Sequence, residues 1–387
     1  MRCRYCFYAD ISDSRELKNC GVMSLDTLEL IVRKALATAT KHCVFGFQGG
    51  EPTLAGLDFF RALIEFEQKH NIHQAQISRA LQTNGLLIDE NWASFLAKHD
   101  FLVGLSIDAG IQIHDGLRRD TGDKGTHSRC MKTARILSRH GVRLNILSVV
   151  TRPLAENPDK AYAFYKKNGF DFIQFIPCLD KLGEPHARSE RAERHARAEH
   201  TKRLNRRDNP LSADDYSLDA GLYGEFLCRV FDLWHADFTG GRYISIRAFD
   251  NYIHMLAGYP PENCGMAGVC NAYPLIEADG SVYPCDFYAI DEYLLGNIKT
   301  SDFAELSRTK SASEFNSVSR TAHPVCEKCD YYPICRGGCR RDREPVADGV
   351  LSLNKYCESY KVFFEHALPR MMQVARQVFP EKFQRKF

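Results

Sequence analysis

The chain has almost no excess of charge: 51 lysines and arginines against 49 aspartates and glutamates leave a formal +2 over 387 residues. That balance gives no global electrostatic reason to bind nucleic acid or an anionic membrane surface. Long hydrophobic runs are also missing. No apolar stretch approaches the roughly 20 residues needed to cross a bilayer as a helix. The opening Met1-Arg-Cys-Arg-Tyr-Cys has no apolar h-region of the kind a signal peptide carries. No internal repeat at a solenoid period is present. These absences lead to the expectation of a cytoplasmic protein, with neither nucleic acid nor membrane among its partners. Hydrophobic and charged contents of 44% and 26% are those of an ordinary globular chain, long enough for one large or two medium domains.

Cysteine, by contrast, is abundant. Of 15 cysteines, eight fall between Cys264 and Cys357: Cys264, Cys270, Cys285, Cys326, Cys329, Cys335, Cys339 and Cys357. Eight thiolates suffice for two complete four-cysteine metal sites. A separate pair, Cys3-x-x-Cys6-Phe-Tyr, opens the chain. In a reducing cytoplasm such clusters read as metal ligands rather than disulfides. Spacing alone allows four-thiolate zinc or iron–sulfur clusters.

Residues 1–255 read as alternating strands and helices. Strands are expected at Cys43–Phe47, Gln76–Gln82, Phe101–Asp108, Arg143–Thr151, Phe170–Pro177 and Tyr243–Ala248. Several are near-continuous apolar runs, as buried parallel strands are. Helical periodicity lies between them, at Leu25–Ala37, Leu57–His70, Glu90–Lys98, Ser128–His140, Asn157–Asn168 and Leu222–Asp237. Repeated βα units imply an α/β fold with a parallel sheet or a complete or partial barrel, whose chemistry sits at the C-terminal strand ends. A charged insertion, 185–208, carries interleaved arginines and glutamates and is expected to be solvated. Residues 256–387 change character. Pro274–Ala278 and Ser281–Pro284 flank Asp279-Gly280, which predicts a hairpin on a type I′ turn. A last helix is expected over about Tyr360–Phe379.

Two further motifs narrow the reading. Phe47-Gln48-Gly49-Gly50-Glu51-Pro52-Thr53 follows an apolar strand directly, and its glycines let a ligand approach the backbone. Cys3-x-x-Cys6-Phe7 lies just before the first βα repeat, at the mouth of the expected barrel. Alone, the first could be a simple βα turn and the second a redox pair or half a zinc site. Together they resemble the radical S-adenosylmethionine (SAM) superfamily, whose hallmarks are C-x-x-x-C-x-x-C and G-G-E-P. Gln82-Thr83-Asn84-Gly85, Ser106-Ile107-Asp108, His114-Asp115 and Arg118 match at later strand ends. The first cysteine of the hallmark would fall upstream of Met1, so a misassigned start or a truncation is expected. The cysteine array resembles the SPASM extension of peptide-modifying members: Cys270, Gly280 and Cys285, then Cys326-x2-Cys329-x5-Cys335-x3-Cys339, then Cys357.

The resemblance implies a partial (β/α)6 TIM-like barrel over residues 1–255 and a SPASM domain over residues 256–387. It implies three [4Fe–4S] clusters. Cys3 and Cys6 would hold the SAM-binding one. Cys264, Cys270, Cys285 and Cys339 would hold auxiliary cluster I. Cys326, Cys329, Cys335 and Cys357 would hold auxiliary cluster II. Gly49, Gly50, Glu51, Pro52, Asn84, Ser106, Asp108 and Arg118 would bind SAM. Within the superfamily the segments Phe47–Gly56, Asp279–Tyr288, Cys335-Arg-Gly-Gly-Cys339-Arg-Arg and Tyr356-Cys357-x-Ser-Tyr are most similar to anaerobic sulfatase-maturating enzymes. These oxidise a sulfatase cysteine or serine, in C/S-x-P-x-R, to Cα-formylglycine. The likeness makes Asp286 the catalytic base, with Tyr8 and Gln48 lining the substrate pocket. Partners would be an unfolded or nascent sulfatase and an electron donor such as flavodoxin or ferredoxin.

Two rivals are a SPASM enzyme that forges thioether or carbon–carbon bonds in a ribosomal peptide and a non-catalytic metal scaffold. The remaining Cys20, Cys43, Cys130, Cys178 and Cys228 are expected to be buried small hydrophobes. No metal is expected at His42 or His114.

Overall fold

The computed structural model describes residues 1–182, 215–271 and 273–383. The charged insertion expected at 185–208 lies outside the described residues. Eight strands organise the first two thirds of the chain: β1 (Arg2–Cys3), β2 (His42–Phe47), β3 (Gln76–Thr83), β4 (Phe101–Ser106), β5 (Arg118–Arg119), β6 (Arg143–Val150), β7 (Phe172–Pro177) and β8 (Ser245–Ile246). Six of them form one parallel sheet in the order β2-β3-β4-β6-β7-β8. Its two ends are not joined, so the barrel is open. The other two, β1 and β5, pair antiparallel outside it and set Cys3 opposite Arg118.

Helices α1 (Phe7–Asp13), α2 (Leu25–Thr38), α3 (Leu57–His70), α4 (Glu90–Lys98), α5 (Ile111–Leu117), α6 (His127–Arg139), α7 (Pro158–Lys167) and α8 (Ala220–Thr239) alternate with the strands. Local chemistry starts them. Ser24 caps α2 by accepting from Thr27 N, and Asp89 caps α4 by accepting from Trp92 N. In α2, Leu28, Ile31, Val32 and Leu36 recur at helical spacing and are buried. Together with Leu81, Val103, Leu105 and Ile146 from the sheet, the helices enclose one continuous apolar core.

The last expected strand is shorter than its apolar run. Only Ser245–Ile246 pair with β7, and Arg247 opens α9 (Arg247–Leu256). Its apolar residues Phe249, Tyr252 and Ile253 sit at helical spacing, and that overrides the extended reading. The long C-terminal helix, α10 (Cys357–Val378), packs Phe363, Phe364, Ala367 and Met371 into the same core as α8 and α9. Between them come short elements. β9 (Leu275–Ile276), β10 (Ser281–Tyr283) and β11 (Gly296–Asn297) make a small antiparallel sheet. The β9–β10 turn is not type I′. Gly280 N donates to Glu277 O, and in the turn only Gly280, at φ +92°, is left-handed. This is the three-residue loop with an αL glycine, which carries the right-handed strand twist with one left-handed residue instead of two. Among the described residues no helix is long and apolar enough to cross a membrane.

Candidate active site

The mouth of the barrel is assembled from the C-terminal strand ends and two segments that cover them. After β2 the chain runs Gln48-Gly49-Gly50-Glu51. Gly49 has φ +122°, and a Cβ added at Gly49 or Gly50 would meet nothing within 4 Å. The backbone here is open to a ligand that a side chain would block. Glu51 faces the other way. Its carboxylate accepts from Thr53 Oγ1 (2.6 Å), Thr83 Oγ1 (2.7 Å) and Asn84 N (2.9 Å). The glutamate is therefore a brace that ties the glycine loop to the end of β3. Asn84 Oδ1 accepts from Leu86 N, and Ser106 at the end of β4 accepts from Gln82 Nε2 at 3.0 Å.

Asp108 and Arg118 are buried. The Tyr5 hydroxyl donates to Asp108 Oδ2, and Arg118 Nη1 donates to the same hydroxyl at 2.7 Å. Asp108 Oδ1 accepts from Val149 N at 3.0 Å. A second line of hydrogen bonds runs behind them. Asp108 N donates to His114 Nδ1, His114 Nε2 meets Thr126 Oγ1, and Thr126 Oγ1 donates to Arg118 O. Burial, then the positive Arg118 and His127, push His114 down to about 2. It is neutral at working pH, with the proton on Nε2 as this chain of bonds requires. Since Arg118 pairs with Cys3 across β1–β5, both lines lock the Cys3–Cys6 segment onto the end of β4. Tyr5 has no assignment in the sequence, and His114 stands there only in the His114-Asp115 match with no role of its own.

Asp286 follows β10 and Cys285 and reaches the barrel mouth from the cysteine-rich region. Gln48 Nε2 donates to its Oδ2 at 2.9 Å, the Tyr8 hydroxyl stands 3.5 Å from the same oxygen, and Cys285 Sγ is 3.3 Å from Oδ1. Three residues far apart in sequence thus meet at one carboxylate. Phe7 stacks edge-on against Phe287 at 4.9 Å, and Ile11 packs with Tyr283 and Ala289, so α1 and the post-hairpin turn are packed together. Burial pushes the Asp286 carboxyl above its usual range, opposed by hydrogen bonds from Cys285, the local backbone and Gln48.

The eight C-terminal cysteines fall into two neighbourhoods. In the first, Gly265, next to Cys264, lies against Cys339: an added Cβ would be 3.6 Å from Cys339 Cβ. Burial pushes the Cys339 thiol up, and the thiols of Cys264 and Cys270 push it further; Cys339 acts on Cys285 in turn. In the second, Cys326, Cys329, Cys335 and Cys357 line a cavity of about 30 Å³ whose other walls include Tyr331, Tyr360 and Phe364. Among the described residues no three His, Cys, Asp or Glu side chains are grouped to hold a single ion. Each set is all-sulfur and half-buried, which fits the donor set of an iron–sulfur cluster. Cys3 lies opposite Arg118 and Cys6 precedes the first residue of α1. Of the other cysteines, Cys130 and Cys178 are buried, whereas Cys20 in the α1–α2 connection, Cys43 on the edge strand β2 and Cys228 on α8 are only partly covered, against the expectation of burial.

Comparison with known proteins gives a consistent picture. The model of the Radical SAM superfamily matches residues 1–164, and that of the SPASM iron-sulfur cluster-binding domain matches residues 269–330. The chain is 42% identical to the cysteine-type anaerobic sulfatase-maturating enzyme of Clostridium novyi, over 97% of this chain and 94% of that protein. It is 30% identical to the serine-type anaerobic sulfatase-maturating enzyme of Bacteroides thetaiotaomicron, over 96% of this chain and 87% of the relative. Among solved structures, native anSMEcpe with bound AdoMet and Kp18Cys peptide superposes with a TM-score of 0.87 at 41% identity, covering 97% of this chain and 96% of that one.

Proposed function

The chain belongs to the cysteine-type anaerobic sulfatase-maturating enzymes of the radical SAM superfamily, and we propose that its reaction centre is the carboxylate of Asp286 with Tyr8 and Gln48. It converts a sulfatase cysteine to Cα-formylglycine. The observation that carries the assignment of the centre is the convergence of Gln48 Nε2 and the Tyr8 hydroxyl on Asp286 Oδ2 beside the open Gly49-Gly50 loop.

With SAM bound, the cluster that Cys3, Cys6 and a third thiolate would hold would supply a 5′-deoxyadenosyl radical, the chemistry needed for hydrogen-atom removal at Cβ of the target cysteine. The chain's own residues do the rest of the positioning and the proton chemistry. Gly49 and Gly50 present backbone to SAM while Glu51 and Pro52 hold that loop in place. Asn84 and Ser106 are the polar groups at the neighbouring strand ends for the rest of the nucleoside. Asp108 and Arg118, through Tyr5, fix the cysteine segment above them. Asp286 would take the thiol proton and one electron would pass from the substrate to the iron–sulfur clusters that the cysteine sets would hold, leaving a carbon–sulfur double bond. Water then replaces sulfur, which departs as hydrogen sulfide, and the aldehyde remains.

The remaining assignments are part of the same proposal. Residues 1–255 form the barrel unit and 256–387 the SPASM unit. Cys264, Cys270, Cys285 and Cys339 hold one auxiliary [4Fe–4S] cluster and Cys326, Cys329, Cys335 and Cys357 a second, which makes three with the SAM cluster. The protein substrate is an unfolded or nascent sulfatase, and the reducing electron comes from flavodoxin or ferredoxin. The test is turnover of a peptide containing C-x-P-x-R by protein reconstituted anaerobically with iron and sulfide. A loss of about 18 Da from the peptide is expected from exchange of CH–SH for an aldehyde. A loss of about 2 Da from an S-x-P-x-R peptide, with the cysteine peptide unchanged, would replace the cysteine assignment by serine. Deoxyadenosine formed with both peptides intact would move the substrate elsewhere.

A further inference from the structure

Cys339 is followed by Arg340-Arg341-Asp342-Arg343, a run that on sequence alone reads as solvated surface. All four residues are instead 4–5% exposed. Two of the three guanidiniums are well accommodated. Arg340 lies over the rings of Phe315 (4.3 Å), Tyr288 (4.9 Å) and Tyr293 (5.3 Å), and pairs with Glu344 at 3.2 Å. Arg341 Nη2 donates to Asp180 O at 2.7 Å. Arg343 is different. Its Nη2 donates to Gly268 O at 2.9 Å, but its buried Nε–H has no partner among the described residues. The neighbouring carboxylates serve other cations: Glu344 pairs with Arg340, and Asp180 and Asp342 with Lys355. A buried guanidinium left with neutral acceptors is costly unless negative charge lies near it.

The negative charge available is that of the thiolates. Gly268 lies between Cys264 and Cys270. Gly337, whose added Cβ would stand 3.2 Å from Arg343 Nη1, lies between Cys335 and Cys339. The ligand-bearing loops of both sets therefore pack on this one side chain. The tightness is visible at Gly268 itself, where φ is +73° and a Cβ would run into Arg336 O. Four thiolates around an oxidised [4Fe–4S] core leave a net charge of about −2, and one-electron reduction takes it to about −3. A fixed cation nearby stabilises the reduced form more than the oxidised form.

We propose that Arg343 is a charge-compensating residue shared by the two auxiliary clusters, raising the reduction potential of both, with its unpartnered Nε–H as the donor left for sulfur. This rests on the reading that the eight C-terminal cysteines hold two [4Fe–4S] clusters.

The test is an anaerobic redox titration of the full chain, reconstituted with iron and sulfide and followed by electron paramagnetic resonance. It compares wild type with R343Q, R343M and R343K. Iron and sulfide are counted in each. The SAM cluster, recognised by the change of its signal on adding SAM, is the internal control. In a fully loaded R343Q or R343M both auxiliary midpoints are expected to move negative while the SAM cluster stays put. R343K keeps the charge and loses the fork, so a smaller shift is expected. A loaded neutral variant with either auxiliary midpoint unmoved overturns the sharing. So does R343K shifting as far as R343Q, since charge would then not be the cause. Wild-type protein with too little iron for two auxiliary clusters would remove the reading beneath the proposal, a result distinct from loaded clusters with unmoved potentials.

Discussion

The barrel and the cysteine-rich region hold their working groups in opposite ways. In the barrel one continuous apolar core, running from Leu28 on α2 through Leu81 and Val103 on the strands to Phe231 on α8, fixes the strand ends. Gln48, Asn84 and Ser106 then follow from strand register. Apart from Ile334 and Tyr356, which join the barrel core, the cysteine-rich stretch before α10 has only small apolar clusters. One joins Val282, Leu295, Ile298 and Leu306 and borrows Ile31 from α2; the other joins Tyr283 and Ala289 and borrows Ile11 from α1. Buried arginines and half-buried thiols occupy the places where a core would be. A region with so little apolar area of its own depends on metal ligation and on its neighbour for its shape. It nevertheless delivers Asp286 to the barrel mouth, because α1 and α2 lend it apolar side chains beside that residue.

The largest effect that would sharpen this contrast is loss of the clusters. Metal ligation of this kind contributes on the order of 10 kcal/mol to local folding. Iron-free protein is expected to lose hydrogen-exchange protection across 264–356, while β2 to β7 keep theirs. Equal loss in both regions would end the distinction. Next in size is D286N. Removing a positioned base is expected to lower turnover by about 10² to 10⁴-fold, with the melting temperature and iron content unchanged. A full-rate D286N enzyme would show that the cysteine-rich region supplies no base.

The barrel should answer to a different kind of change. Glu67 is buried and takes Arg79 Nε and Nη2 together. R79M leaves an uncompensated carboxylate and is expected to cost about 3–5 kcal/mol in urea unfolding of the barrel, with little change in turnover by the folded fraction. The smallest is S24A. Loss of the α2 cap should cost about 1 kcal/mol, read in the same unfolding curves. If R79M or S24A changed the auxiliary cluster signals, the two regions would be coupled more tightly than their separate cores imply.

Much of the barrel was legible in advance. Apolar runs such as Phe101–Ser106 and the helical spacing of Leu28, Ile31, Val32 and Leu36 are local signals, and they set strands and helices within a residue or two. Ligand spacing is local as well, so the cysteine sets and the glycine loop could be listed from the chain. Other features were not legible. Tyr243–Ala248 looked extended, yet the helical spacing from Phe249 onward claimed Arg247 and Ala248 for α9. Asp279-Gly280 suggested a two-residue turn, but one left-handed glycine was enough.

By itself, then, the sequence determined the βα alternation, the thiol sets and the open backbone at Gly49-Gly50, because each depends on residues within a few positions of one another. Tertiary structure alone decided that Asp286 meets Tyr8 and Gln48, that Glu51 is a brace, that α10 joins the barrel core, and that Arg343 is buried between two cysteine sets. Those outcomes depend on which distant surfaces come together and on where charge is withdrawn from water, and no local pattern encodes either.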